Sequence, residues 1–119
     1  MKILLILLIS TLLGASAVLS FDAPVQDFGE VPEGKIVNLK YRFTNTGDSP
    51  LIINKVTTDC GCTASSFPRK PIAPGMSDHI SVQFSTRGKE GVQEKRVSIV
   101  SNASEDEVIL KFTGTVIPH

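Results

Sequence analysis

The stretch Val37-Asn38-Leu39-Lys40-Tyr41-Arg42-Phe43-Thr44-Asn45 decides the fold. Apolar side chains recur at every second position, at Val37, Leu39, Tyr41 and Phe43, with Asn38, Lys40, Arg42 and Thr44 between them. Successive side chains of a strand point to opposite faces, so this order turns one face toward a core and the other toward water. The stretch is too short and too strictly alternating for an amphipathic helix. It ends at the turn Asn45-Thr46-Gly47-Asp48-Ser49-Pro50.

The same period continues on both sides. Leu51 and Ile53 keep the alternation while Val56 comes one residue late, which predicts a bulge near Asn54 and Lys55. Three further strands carry inward sets: Ile80, Val82 and Phe84; Val97 and Ile99; and Val108, Leu110, Phe112 and Val116. Residues 87–91 and 102–106 read as the turns between them. A weaker strand around residues 21–25 and an edge segment Asp27-Phe28-Gly29-Glu30-Val31 complete about seven short strands. The prediction is an all-β protein, an antiparallel sandwich of two packed sheets. Phe67-Pro68-Arg69-Lys70-Pro71-Ile72-Ala73-Pro74-Gly75 has three prolines in nine residues, so it reads as a surface crossing with a turn centred on Pro74 and Gly75.

At the N-terminus, Met1 and Lys2 precede an apolar block from Ile3 to Leu13 and then Gly14-Ala15-Ser16-Ala17, the pattern of a secretory signal peptide with an Ala-x-Ala cleavage site. The block is marginal as a membrane span. The expected organisation is a signal peptide over 1–17 and one domain over 18–119, exported to the periplasm or the cell surface, with no membrane span in the mature chain. The 12 basic and 12 acidic residues balance, and the longest like-charged run is Glu105-Asp106-Glu107. This argues against a nucleic-acid or membrane-surface footprint.

Catalytic sets are scarce. His119 is the last residue, and His79 begins a strand on its outward side. No nucleophile elbow, paired-histidine zinc motif or phosphate-binding glycine loop occurs. The aromatic residues Phe28, Tyr41, Phe43, Phe84 and Phe112 alternate as core residues do, while Phe67 lies in the crossing, where it either covers the end of the sandwich or makes a contact. The expectation is a non-enzyme with no cofactor.

Cys60-Gly61-Cys62 holds both cysteines of the chain. Extended, their Cα atoms would lie roughly 6.5 to 6.8 Å apart, at the limit for a disulfide, and the pair would stay as thiols. A positive φ at Gly61 would let the sulfurs bond, giving a short loop that is readily reduced. A third option is copper(I) or zinc held by both sulfurs, with Met76 or His79 as further ligands. All three stay open on the sequence alone.

The order Asp27-Phe28-Gly29-Glu30-Val31-Pro32-Glu33-Gly34, then Asn45-Thr46-Gly47, Cys60-Gly61-Cys62-Thr63, Pro74-Gly75 and a last strand ending Phe112-Thr113-Gly114-Thr115-Val116 resembles domain-of-unknown-function family 1573 over residues 21–117. The resemblance implies a bacterial exported protein with an immunoglobulin-like sandwich, similar to the folds of major sperm protein and of cilium- and centrosome-associated domains.

Two functions compete. One is a non-enzymatic exported module that binds or spaces an envelope or surface protein or glycan through its loops, with Thr46, Gly47, Asp48, Phe67, Arg69 and Arg87 as candidate contacts. The other is a periplasmic thiol protein using Cys60 and Cys62, with Met76 or His79, for redox or copper(I) handling. A small inhibitor or chaperone working by strand addition at a sheet edge is a third possibility.

Overall fold

The computed structural model describes residues 15–119. They form eight strands: β1 (Leu19–Phe21), β2 (Val25–Pro32), β3 (Ile36–Asn45), β4 (Ile53–Thr58), β5 (Thr63–Ser66), β6 (Ser77–Ser85), β7 (Gly91–Ser101) and β8 (Glu107–Ile117). The alternating stretch is β3, and Val37, Leu39, Tyr41 and Phe43 all point into the core. The other expected inward residues are buried too, apart from half-buried Val56 and Val108, and the expected bulge falls between Ile53 and Lys55, where the pairing of β4 with β7 shifts.

The strands build two four-stranded sheets, in the orders β1-β3-β6-β5 and β2-β8-β7-β4. Tyr41, Phe43, Ile80, Val82 and Phe84 from the first meet Val97, Ile99, Leu110 and Phe112 from the second in one apolar cluster. Each such side chain contributes about 1.5 to 3 kcal/mol on burial, which holds the sheets face to face.

Two features depart from the expected layout. The first is that β2 runs parallel to β8, while the other strand pairs are antiparallel. After β1 has paired with β3, the chain turns at Ala23 and Pro24 and enters the opposite sheet, so one N-terminal run serves both layers. Gln26 stitches the seam by donating from Nε2 to the Lys40 carbonyl at 2.8 Å. The second is β5, a strand absent from the sequence reading, where Thr63 to Ser66 carry no large apolar residue. Its register comes from β6, with Thr63 opposite Phe84 and Ser66 opposite Ser81.

Gly114 lies buried in β8, and a Cβ there would overlap the ring of Phe28. A side chain is excluded there because the Phe28 ring from β2 fills the space beside the strand. Pro74 and Gly75 form the expected turn: Met76 N–H donates to Ala73 C=O at 3.0 Å, with Gly75 at φ 82°.

Asn45 is wholly buried at the end of β3 and uses all four side-chain hydrogen-bonding positions. Its Oδ1 accepts from Val18 N–H (3.2 Å) and Gly47 N–H (3.0 Å), and its Nδ2 donates to the carbonyls of Ser49 (2.8 Å) and Ile72 (2.9 Å). One amide therefore ties the N-terminal segment, the 46–50 turn and the proline-rich crossing to the sheet.

Most of the expected signal peptide, residues 1–14, lies outside the described residues. Its last residues do not: Ala17 is buried in a bridge to Ala103, its carbonyl accepts from Ser104 N–H at 2.9 Å, and Ser16 exchanges hydrogen bonds with Asp48.

Candidate functional site

The two cysteines occupy the corner where the chain passes from the second sheet to the first. β4 ends with Thr58 opposite Val97. Asp59 then turns its carboxylate back onto β7, accepting from Arg96 N–H at 2.9 Å and lying 3.5 Å from Arg96 Nε. A tight turn follows, in which Thr63 N–H donates to Cys60 C=O at 3.3 Å. Thr58 Oγ1 donates to that same carbonyl at 3.2 Å, and Ser85 N–H donates to Cys62 C=O at 3.0 Å. Backbone and hydroxyl groups thus hold the turn independently of the sulfurs.

Within it Cys60 and Cys62 form a disulfide, with Cα atoms 5.3 Å apart. The pair is not extended, so the option of two separated thiols does not describe it. Nor does the bend need a positive φ at Gly61: that residue does not adopt one, and the turn alone shortens the Cα separation. Both cysteines are half-buried and Gly61 is exposed. The hydroxyl of Thr63 sits beneath the bond, 3.6 Å from Cys60 Sγ and 3.9 Å from Cys62 Sγ. A disulfide sulfur has no proton, so the hydroxyl is the donor in both contacts.

Met76 and His79, the candidate further metal ligands, lie elsewhere. His79 faces outward on β6 opposite Arg42, with Nδ1 3.6 Å from Asp78 Oδ1. The cysteine corner meets β6 at Phe84, five residues further on and so about 17 Å away along the strand. Exposed Met76 precedes the same strand. Among the described residues no group of three or more His, Cys, Asp and Glu side chains is arranged to hold a metal.

The candidate contact loops fare differently. Thr46, Gly47 and Asp48 are engaged by the N-terminal segment: Thr46 N–H donates to Val18 C=O and Asp48 N–H to Ser16 C=O, each at 3.0 Å. Phe67 packs on the core, and the Arg69 guanidinium lies 4.1 Å above its ring, so the aromatic closes the end of the sandwich. Arg87 is exposed in the turn after β6.

A surface the sequence did not reveal is the outer face of the first sheet. Ala64, Gln83 and Asn38 align across three strands, as do Ser66, Ser81 and Lys40, and His79 pairs with Arg42 beyond them. Short side chains on β5 and β6 between longer neighbours leave a cleft of about 370 Å³, its wall mostly apolar, with Asn38, Lys40, Ser66, Ser81 and Gln83 placing polar groups along it. Its signal was present in the outward positions of β3 and β6, but the partner strand β5 was missing. Inside the sandwich, burial pushes the phenol of Tyr41 up to about 12, and its hydroxyl donates to the Lys111 carbonyl at 2.6 Å. Among the described residues no helix is long and apolar enough to cross a membrane.

A family model described as "Protein of unknown function (DUF1573)" matches residues 19–116. The fold is similar to that of a protein of unknown function from Porphyromonas gingivalis W83, with 20% identity and a TM-score of 0.75, over 88% of this chain and 50% of that one. The chain therefore spans half the length of that protein. It is also similar to an ASH/PapD-like domain of human CEP192 (9% identity, TM-score 0.70, 87% and 88% covered) and to WR4, a C. elegans MSP family member (12%, 0.54, 84% and 98%). At these identities the likeness concerns the fold alone. No curated protein sequence matches the chain.

Proposed function

The chain belongs to the DUF1573 family, and from that footing we propose that it is a non-enzymatic exported module that binds a component of the cell envelope or surface. The observation that carries this reading is the cleft on the outer face of the first sheet, a mostly apolar wall bordered by polar side chains. Asn38, Lys40, Ser66, Ser81 and Gln83 present amide, ammonium and hydroxyl groups there, over a floor of short side chains. An apolar wall with a few placed polar groups suits a partner that offers both, and these side chains include no paired nucleophile and base for chemistry. Thr46 and Gly47 are held by Val18 and Asn45, and Phe67 packs on the core, which shifts the proposed contact surface from the loops toward the sheet, with Arg87 exposed at one end.

The test combines localisation with capture. Cell fractionation should find the protein outside the cytoplasm. Cross-linking in intact cells should recover a component that is lost when Ser81→Trp fills the cleft and retained when Arg87→Ala alters the neighbouring turn. Recovery of the same component by Ser81→Trp at wild-type yield, or confinement to the cytoplasm, would count against the reading.

A further inference from the structure

We infer that Cys60–Cys62 is a thiol–disulfide exchange site acting on protein dithiols, with the Thr63 hydroxyl receiving the thiolate that leaves. This adds redox chemistry at the cysteine corner to the binding role proposed for the cleft, confines the non-enzymatic reading to that cleft, and uses none of its residues.

Four observations converge on the corner. First, a crosslink between residues two apart removes far less freedom from the unfolded chain than one that closes a long loop, so stability is a weak reason for it. Second, both cysteines are half-buried and Gly61 is exposed, so the bond can be reached from solvent. Third, the turn is held by Thr58 Oγ1, by the Thr63 N–H bond to Cys60 and by the Ser85 N–H bond to Cys62. Opening the disulfide therefore leaves the two sulfurs facing each other, ready to close again. Fourth, β4 pairs with β7 only from Val97 to Ser101, and among the described residues no strand occupies that side of β7 from Gly91 to Lys95. An extended segment of a partner laid in this empty lane would run directly up to Asp59 and the cysteines.

The step balances without a metal or an external cofactor. A thiolate of the partner attacks Cys62 Sγ, forming a mixed disulfide and breaking the Cys60–Cys62 bond. Cys60 Sγ leaves as a thiolate, and the Thr63 hydroxyl, 3.6 Å away, donates a hydrogen bond to it. The neighbouring Asp59 carboxylate is engaged by Arg96, which offsets its repulsion of that charge. The partner's second thiol then attacks its own bonded sulfur and releases Cys62. The partner dithiol has been oxidised to a disulfide, its two protons have passed to Cys60 and Cys62, and the pair has been reduced to two thiols. Return to the oxidised form requires a disulfide-bearing oxidant, which closes the cycle by the same chemistry in reverse.

The oxidised full chain is mixed with dithiothreitol as the dithiol probe, and free thiols are counted by alkylation and mass spectrometry while circular dichroism follows the fold. Reduction in the folded state, faster than that of a peptide carrying the same Asp-Cys-Gly-Cys-Thr disulfide, is the expected result. Thr63→Val should slow exchange roughly ten-fold by removing a hydrogen bond to a charged sulfur, and Thr63→Ser should stay within about two-fold of wild type. A bond that opens only when the protein unfolds, or equal rates for wild type and Thr63→Val, overturns the inference. Should Thr63→Val not fold, the alkylation rates of the two thiols in reduced wild-type protein decide it. Cys60 should react at lower pH than Cys62, and coincident pH profiles overturn the inference.

Discussion

The side-chain amide of Asn45 donates to the carbonyl oxygen of Ile72 across 2.9 Å, joining the last residue of β3 to the middle of the proline-rich crossing. That crossing has few ladder bonds of its own, because prolines remove its donors. Asn45→Ala should strand Val18 N–H, Gly47 N–H and the carbonyls of Ser49 and Ile72, and destabilise the domain by about 3 kcal/mol or more. Asn45→Asp, which cannot donate, should be no better than Asn45→Ala. Urea unfolding midpoints measure both, and a midpoint for either within error of wild type would contradict the role given to this amide.

Tyr41 is the only tyrosine of the chain and there is no tryptophan, so its ionisation can be read without interference. Its phenol is raised from 10.0 to about 12 by burial. A raised pKa in the folded state means that stability is fully present below pH 10 and falls as pH climbs toward about 12. Two units correspond to roughly 2 to 3 kcal/mol. Tyr41→Phe should remove this alkaline loss while costing about 1 kcal/mol at neutral pH through the lost bond to Lys111. Near-ultraviolet titration of the phenolate, paired with unfolding at several pH values, checks it. Ionisation near the ordinary value in the folded protein would rule out the burial.

Gly114 and Phe28 form a matched pair, in which the ring occupies the place a side chain would take. Gly114→Ala should destabilise by about 1 to 3 kcal/mol through overpacking. Phe28→Ala alone should also destabilise, because its ring contacts Phe84 and Phe112, with centroids at 5.8 and 6.3 Å. The double variant should cost less than the sum of the two, since the alanine then has room. Strict additivity in a double-mutant cycle would exclude the contact.

Removing the crosslink should be cheap. Cys60→Ser with Cys62→Ser is expected to lower stability by only about 1 to 2 kcal/mol, because the closed loop spans one intervening residue. Thermal unfolding of the double variant measures this. A loss as large as that from Asn45→Ala would mean that the disulfide is a structural staple.

Strict alternation made most of the sandwich legible before any coordinates, because burying one face of a strand forces apolar residues to every second position. Ile80, Val82 and Phe84 are as plain in the sequence as they are in the core. What stayed hidden was carried by polar and small residues, whose placement depends on distant neighbours. β5 exists because β6 offers it a free edge, and Thr63 to Ser66 have no periodic signature of their own. The parallel entry of β2 depends on where Pro24 sends the chain. The four bonds of Asn45 involve residues up to 27 positions away. At the candidate site, the pair Cys60 and Cys62 was visible at once, but its geometry was set by Thr58, Thr63 and Ser85, and Met76 and His79 proved to lie near the other end of β6.

The clasp of Ser16 and Ala17 around Gly47 gives the domain a direction. A Cβ at Gly47 would strike the backbone of Ser16 and Val18, so the chain can leave toward residue 15 only from the end of the sandwich that carries Asn45. Cys60 and Cys62 lie at the opposite pole, roughly 25 Å away along β3. β8 ends at that same pole, where Ile117 C=O accepts from Glu33 N–H. The start of the described chain and the cysteine turn therefore mark opposite ends of the domain, and a partner bound at one leaves the other open.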